Sequence, residues 1–210
     1  MKKRLLPLFA LCCLLFSAFC ACADERRFSL TENGFALTDS KTGVCYTVLS
    51  PAFEPSKGGD AVGVYQADGD LEVTLRTIPQ LEESLWLTDD NKNVYCACET
   101  LPDPAAWTLT AVLFCEEDAV SIERCRLSAE SDDAALALLR ALYFEGEDAS
   151  LPLTAATLAR RVKLVSAEVP NVYYCFDYYR YEDGRAFFFE RFSGRTVEIP
   201  AGSDALFGVI

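Results

Sequence analysis

The chain reads as an α+β protein: a mostly antiparallel β-sheet with one principal helix, about residues 131–145, packed on a sheet face. Three observations predict this. Short apolar runs separated by Asn-Gly, Asp-Gly and Pro-containing turns fill residues 27–127 and 162–199. Only residues 131–145 carry apolar side chains at sustained three- and four-residue spacing. The 210 residues are 51% apolar and 12% aromatic, which suits a packed core and not a disordered chain.

Arg27–Leu30 and Gly34–Thr38 form an opening hairpin around Asn33-Gly34, a strong turn signal. Val44–Leu49 is a third strand, ended by Ser50-Pro51, and residues 54–60 are a loop by composition. Val62–Gln66 and Leu71–Ile78 are strands joined at residues 67–70; Leu81–Leu87 reads as a short helical turn, and residues 89–93 as a polar loop. Strands Val94–Glu99, Thr108–Glu116 and Val120–Leu127 follow. In the helix, Ser131 is placed as N-cap with Asp132 and Asp133 in the first turn, where the helix dipole favours acids. Ala135, Leu136, Leu139 and Leu142 form its apolar stripe, and Gly146 ends it. Val162–Ala167, Val172–Tyr181, Arg185–Phe192 and Thr196–Ile199 complete the strands.

The register of the hairpin around Glu182-Asp183-Gly184 can be argued from charge. A two-residue turn would set Asp177 against Glu190, a like-charge pair. A three-residue loop with Gly184 in the left-handed conformation pairs Tyr181 with Arg185, Asp177 with Phe189 and Cys175 with Arg191, and is the expected register.

Residues 1–23 read as a signal peptide, followed by an N-terminal β-rich region over 24–104 and a C-terminal α+β region over 105–210, which could form one continuous domain. Lys2, Lys3 and Arg4 precede an apolar run from Leu5 to Ala23, and Ala21-Cys22-Ala23 offers the small residues a signal peptidase reads. Two other readings stay open. Phe19-Cys20-Ala21-Cys22 looks like a degraded lipobox with Cys22 as the lipidated residue, and the run nears the roughly 20 residues of an uncleaved anchor. All three place residues 24–210 outside the cytoplasm, secreted or lipid-anchored at the cell envelope, with membrane contact only through the N-terminal segment.

Loss of Lys2, Lys3 and Arg4 would leave 32 acidic against 16 basic side chains. That balance argues against sequence-independent nucleic-acid binding and against adsorption to an anionic membrane. Without any histidine, imidazole-based triads, proton transfer and zinc ligation are unavailable. No catalytic residue, cofactor or metal is assigned. Asp89-x-Asn91-x-Asn93 has the spacing that opens a calcium loop, but Val94 and Thr100 stand where that loop needs Gly and Glu, so a solvated turn is expected.

Six cysteines follow the leader: Cys45, Cys96, Cys98, Cys115, Cys125 and Cys175. An even number in an exported chain favours disulfides, with buried free thiols as the alternative. Cys96 and Cys98 share one strand face and are not expected to bridge each other. A tight hairpin over residues 116–119 would hold Cys115 and Cys125 apart, near Val120 and Thr110. Ten aromatics between Tyr173 and Phe192 populate both faces of a hairpin, so one face needs a cover beyond the helix or is itself a contact surface. Tyr173, Tyr179, Tyr181, Phe187 and Phe189 are the candidate binding residues. The expected function is a non-enzymatic recognition domain for a protein, peptide or glycan partner at the envelope of a bacterium. The alternatives are an inhibitor or immunity-type protein for a cationic partner, and a carboxylate-dependent glycan-acting enzyme.

Overall fold

A computed structural model describes residues 26–32, 34–67, 69, 71–97, 102–117 and 122–207. Its first sheet closes on itself because each short strand offers a row of alternate apolar residues to a shared interior. Its strands are Arg27–Leu30 (β1), Ala36–Asp39 (β2), Cys45–Val48 (β3), Ala61–Gln66 (β5), Glu72–Thr77 (β6), Trp86–Asp89 (β7) and Val94–Cys96 (β8), while Phe53–Pro55 (β4) leaves for the second sheet. Their spatial order is β1-β2-β3-β8-β7-β6-β5, closed by a parallel pairing of β5 with β1. Phe28, Leu37, Tyr46, Tyr65, Val73, Leu75, Leu87 and Tyr95 fill the barrel. The Tyr65 and Tyr95 hydroxyls donate to the buried Asp89 carboxylate at 3.1 and 2.8 Å, so this polar group is satisfied inside an apolar core.

The second sheet is antiparallel and contains Leu109–Glu116 (β9), Glu123–Ser128 (β10), Leu158–Ser166 (β11), Val172–Arg180 (β12), Ala186–Phe189 (β13) and Thr196–Ile199 (β14), in the order β10-β9-β11-β12-β13-β14. Strand β12 organises it. One edge pairs with β11 along its length; the other takes β4 at Val172–Tyr174 and β13 at Asp177–Arg180. A piece of the N-terminal half is thereby built into the C-terminal sheet, and a shared apolar cluster of Phe53, Ile78, Trp86, Val94, Trp107 and Val172 joins the two sheets.

The helix, Asp133–Glu145 (α1), buries Leu136, Leu139 and Tyr143 against one face of this sheet. The Tyr143 ring stacks on Phe176 with centroids 3.9 Å apart, and its hydroxyl lies 3.1 Å from that of Tyr174. Such stacking adds about 0.5–1.5 kcal/mol to burial. The helix begins one residue later than expected. Asp132 takes the N-cap position, and its carboxylate accepts from the Ser131 hydroxyl and the Ser128 amide instead of capping. Gly146 does end the helix, with negative φ: a Cβ there would overlap the Leu142 carbonyl oxygen. No basic residue lies in the last turn; Arg195 supplies the charge from β14's approach, donating to the carbonyls of Tyr143, Phe144 and Gly146 at 3.2–3.3 Å.

Other expectations need correcting. Residues 81–87 hold only one turn, with Trp86 N–H bonded to the Glu82 carbonyl, before the unforeseen strand β7. Residues 53–55 are a strand and not part of a loop. The β9–β10 hairpin pairs Cys115 with Glu123 and Cys125 with Phe114, several positions from the tight-turn register. The β12–β13 hairpin has the three-residue loop: Asp177 pairs with Phe189, Tyr181 N–H bonds to the Arg185 carbonyl, and Gly184 sits at φ +85°. Pairing stops there, so Cys175 meets the Ala52 carbonyl through its amide and not Arg191. Residues 1–23, which the sequence reads as a signal peptide and which include Cys22, lie outside the described residues, as does Cys98. No helix among the described residues is long and apolar enough to cross a membrane.

Candidate functional site: the sheet face opposite the helix

Alternation along β9, β11, β12 and β13 sends Phe114, Val162, Leu164, Phe176, Tyr178 and Phe188 to the helix side. The intervening residues must face the other way. Cross-strand register lays them out in rows: Ala111, Val165 and Tyr173; Leu113, Lys163 and Cys175; Cys115, Arg161 and Asp177. Tyr179 and Phe189 extend the surface onto β13, and Phe187, paired with Tyr179, lies covered on the same side.

The apolar floor of this face is thatched by charged side chains lying along it, their stems over the floor and their heads paired. Glu54, carried in by β4, binds Arg161 at 2.6 Å and Lys163 at 3.3 Å. Arg161 also reaches the fully buried Asp177 carboxylate at 3.3 Å, whose second oxygen accepts from Arg191. Arg191 continues to Glu117 at 2.8 Å. The Lys163 ammonium stands 5.2 Å from the Tyr173 ring centroid. Burial works to raise the Glu54 pKa, but the charge and hydrogen bonds of Arg161, with Lys163, outweigh it and hold the carboxyl low. Burial, with the Glu54 charge adding to it, pushes the Cys175 thiol well up; burial likewise raises Cys115. Both are therefore protonated and unactivated.

The five aromatic candidates divide. Tyr173, Tyr179 and Phe189 share this face and are half-buried, with Tyr179 and Phe189 rings 6.1 Å apart. Tyr181 and Phe187 are corrected: both are buried, Phe187 completely, beneath the Tyr181 ring and the Arg185 guanidinium, and neither can anchor a partner. Of the cysteines, Cys45, Cys115, Cys125 and Cys175 are free thiols, whereas Cys96 is disulfide-bonded. Strand β11 lies between Cys115 and Cys175, and Cys125 faces the helix side. No two of these three can bond.

A groove of about 310 Å³ crosses the face, lined by Glu54, Leu113, Cys115, Arg126, Lys163 and Tyr173. A second of about 250 Å³ continues past β4 to the barrel loop 91–93, and both are bordered by Glu54 and Lys92. Asp89 turns its oxygens to the amides of Asn91 and Asn93, at 2.9 Å each, and to the two tyrosines, so the calcium-like spacing serves the turn. Among the described residues no cluster of three metal-ligating side chains forms. Sequence reasoning missed Arg161, Lys163 and Glu54. The charged-apolar alternation of Arg161-Val162-Lys163-Leu164 is the signal that could have found the first two, since it marks a strand with one face off the core. No protein-family model, curated protein or solved structure matches this chain.

Proposed function

We propose that this is an exported bacterial protein that works as a non-enzymatic recognition domain at the cell envelope, with the sheet face opposite α1 as its contact surface. The basic-then-apolar N-terminus supports export. The observation that carries recognition is the composition of the face: half-buried Tyr173, Tyr179 and Phe189 among paired charges, on strands that a packed helix makes rigid from behind. Tyrosines on a rigid strand lose little side-chain entropy on binding. Carboxylate catalysis is disfavoured at this site, because a general acid needs a raised pKa and Glu54 is held low.

The test is cosedimentation of purified residues 24–210 with isolated bacterial envelopes, comparing wild type with the Tyr173→Ala/Tyr179→Ala double variant. The reading expects wild type in the pellet and the variant in the supernatant, with unchanged far-UV circular dichroism. Equal sedimentation of the two, or none by either, refutes it.

A further inference from the structure

Wherever a hairpin of this protein needs a left-handed residue, glycine is usual: Gly34, Gly43, Gly69, Gly184 and Gly194 have φ between +73° and +85°. The β7–β8 hairpin is different. Lys92 occupies its left-handed position, φ +67°, with its amide 3.0 Å from the Asp89 carbonyl. An L side chain is disfavoured there relative to glycine. Two other non-glycine residues share the conformation, and their side chains explain their presence. Asn171 (φ +65°) donates to the Pro79 carbonyl at 2.8 Å and to Gln80 Oε1 at 3.2 Å, and accepts from the Ser56 hydroxyl at 2.9 Å; Gln80 (φ +69°) is thus held by Asn171. These bonds rivet the barrel to β12. The Lys92 ammonium makes no hydrogen bond or ion pair among the described residues.

Its position is informative. Lys92 borders both grooves where they meet at β4. Every acid nearby is already engaged: Glu54 by Arg161 and Lys163, Glu123 by Arg126, Asp90 by Arg76, and Asp89 by tyrosines and turn amides. The Lys92 ammonium thus stands at the junction with no carboxylate bound to it among the described residues, on a residue type that the backbone disfavours. Lys41 and Lys57 are exposed and likewise lack an ion pair among the described residues; what sets Lys92 apart is that it borders two grooves and has left-handed backbone.

We propose that Lys92 is a ligand-binding residue: the groove across β4 takes a ligand bearing a carboxylate or phosphate, with the anion at the Lys92 ammonium and the remainder lying over Tyr173. The proposal deepens the recognition reading and rests on it. Strain of this kind is retained where a side chain has work that glycine cannot do.

The experiment replaces Lys92 by Gly, and separately by Asn, which also tolerates left-handed backbone. Inorganic phosphate and glutarate are titrated into each protein at low ionic strength, and amide NMR shifts are followed at residues 91–93 and 173; glucose is the uncharged control. Wild type responds to phosphate, glutarate or both, which tells the two anion chemistries apart. Both variants bind about tenfold more weakly, the loss of one charged hydrogen bond. Lys92→Gly melts no lower than wild type. The inference is overturned if wild type responds to neither anion, if the variants respond as wild type does, or if Lys92→Gly lowers the melting temperature. Envelope binding that is lost in the Tyr173/Tyr179 variant but kept in Lys92→Gly would sink this inference and spare the recognition reading.

Discussion

Asp39→Asn should destabilise the protein by about 2 kcal/mol at neutral pH, and the penalty should fade in acid. Asp39 ends β2, fully buried, and accepts from Arg26 Nε at 3.1 Å and Nη2 at 2.8 Å, from the Lys41 amide at 2.9 Å, and from the Thr42 hydroxyl. Burial alone would raise its pKa, but the Arg26 and Thr42 hydrogen bonds and the Lys41 amide overcome that and lower it from 3.8 to about 2. That difference between folded and unfolded states converts to about 2 kcal/mol of folding free energy. Because the folded value is the lower one, the contribution is complete above the unfolded pKa and disappears as pH falls from about 4 to 2. Asparagine keeps the shape but turns an amide or a weaker acceptor toward a guanidinium. Urea unfolding followed by fluorescence of the buried Trp86 and Trp107, at intervals from pH 7 to 2, measures both proteins. A stability difference that stays constant over this range refutes the assignment of the stabilisation to the ionised carboxylate. The bond has a positional consequence as well, since Arg26 also meets Glu83 at 2.5 Å and so ties the start of β1 to the turn before β7.

Arg195→Ala should cost about 1–2 kcal/mol in urea unfolding, because it strips three carbonyl contacts from the C-terminal end of α1; a change within error would remove Arg195 as the helix cap. Gly63→Ala should lower the melting temperature by several degrees, since a Cβ there overlaps the Arg26 carbonyl oxygen at the parallel β1–β5 seam; an unaltered melting curve would mean the seam is looser than drawn. In thiol labelling of native protein, exposed Cys45 should react first, with Cys115 and Cys175 protected until denaturant is added because burial hides them and raises their pKa. Rapid native labelling of Cys175 would contradict the burial of β12.

How much of this could be read from the chain depends on how local each determinant is. The Asp183-Gly184 register was legible because one like-charge clash and one glycine decide it within sixteen residues. Strand β7 was not, since Trp86, Leu87, Thr88 and Asp89 are all buried: Leu87 faces the barrel interior and Trp86 the inter-sheet cluster, so no alternation survives. Closure of the barrel rests on two parallel residue pairs, Arg27 with Val64 and Phe28 with Tyr65, between strands more than thirty residues apart, and a single-sequence pattern carries no trace of such pairing.

The aromatic hairpin shows where composition misleads about function. Ten aromatics on both faces suggested that the second face was either covered by another lobe or bare. The barrel instead abuts one end of the sheet, and the second face is covered by its own charged side chains. Arg161, Lys163 and Arg191 lie over an apolar floor and are neutralised by Glu54, Asp177 and Glu117. Burial of Phe187 under Arg185 follows the same rule. A surface of this kind binds through what it leaves unpaired. Its ion pairs can exchange partners only at a cost, so on the recognition reading proposed above a ligand would be selected by the half-buried tyrosine edges and by Lys92, whose ammonium has no ion pair among the described residues.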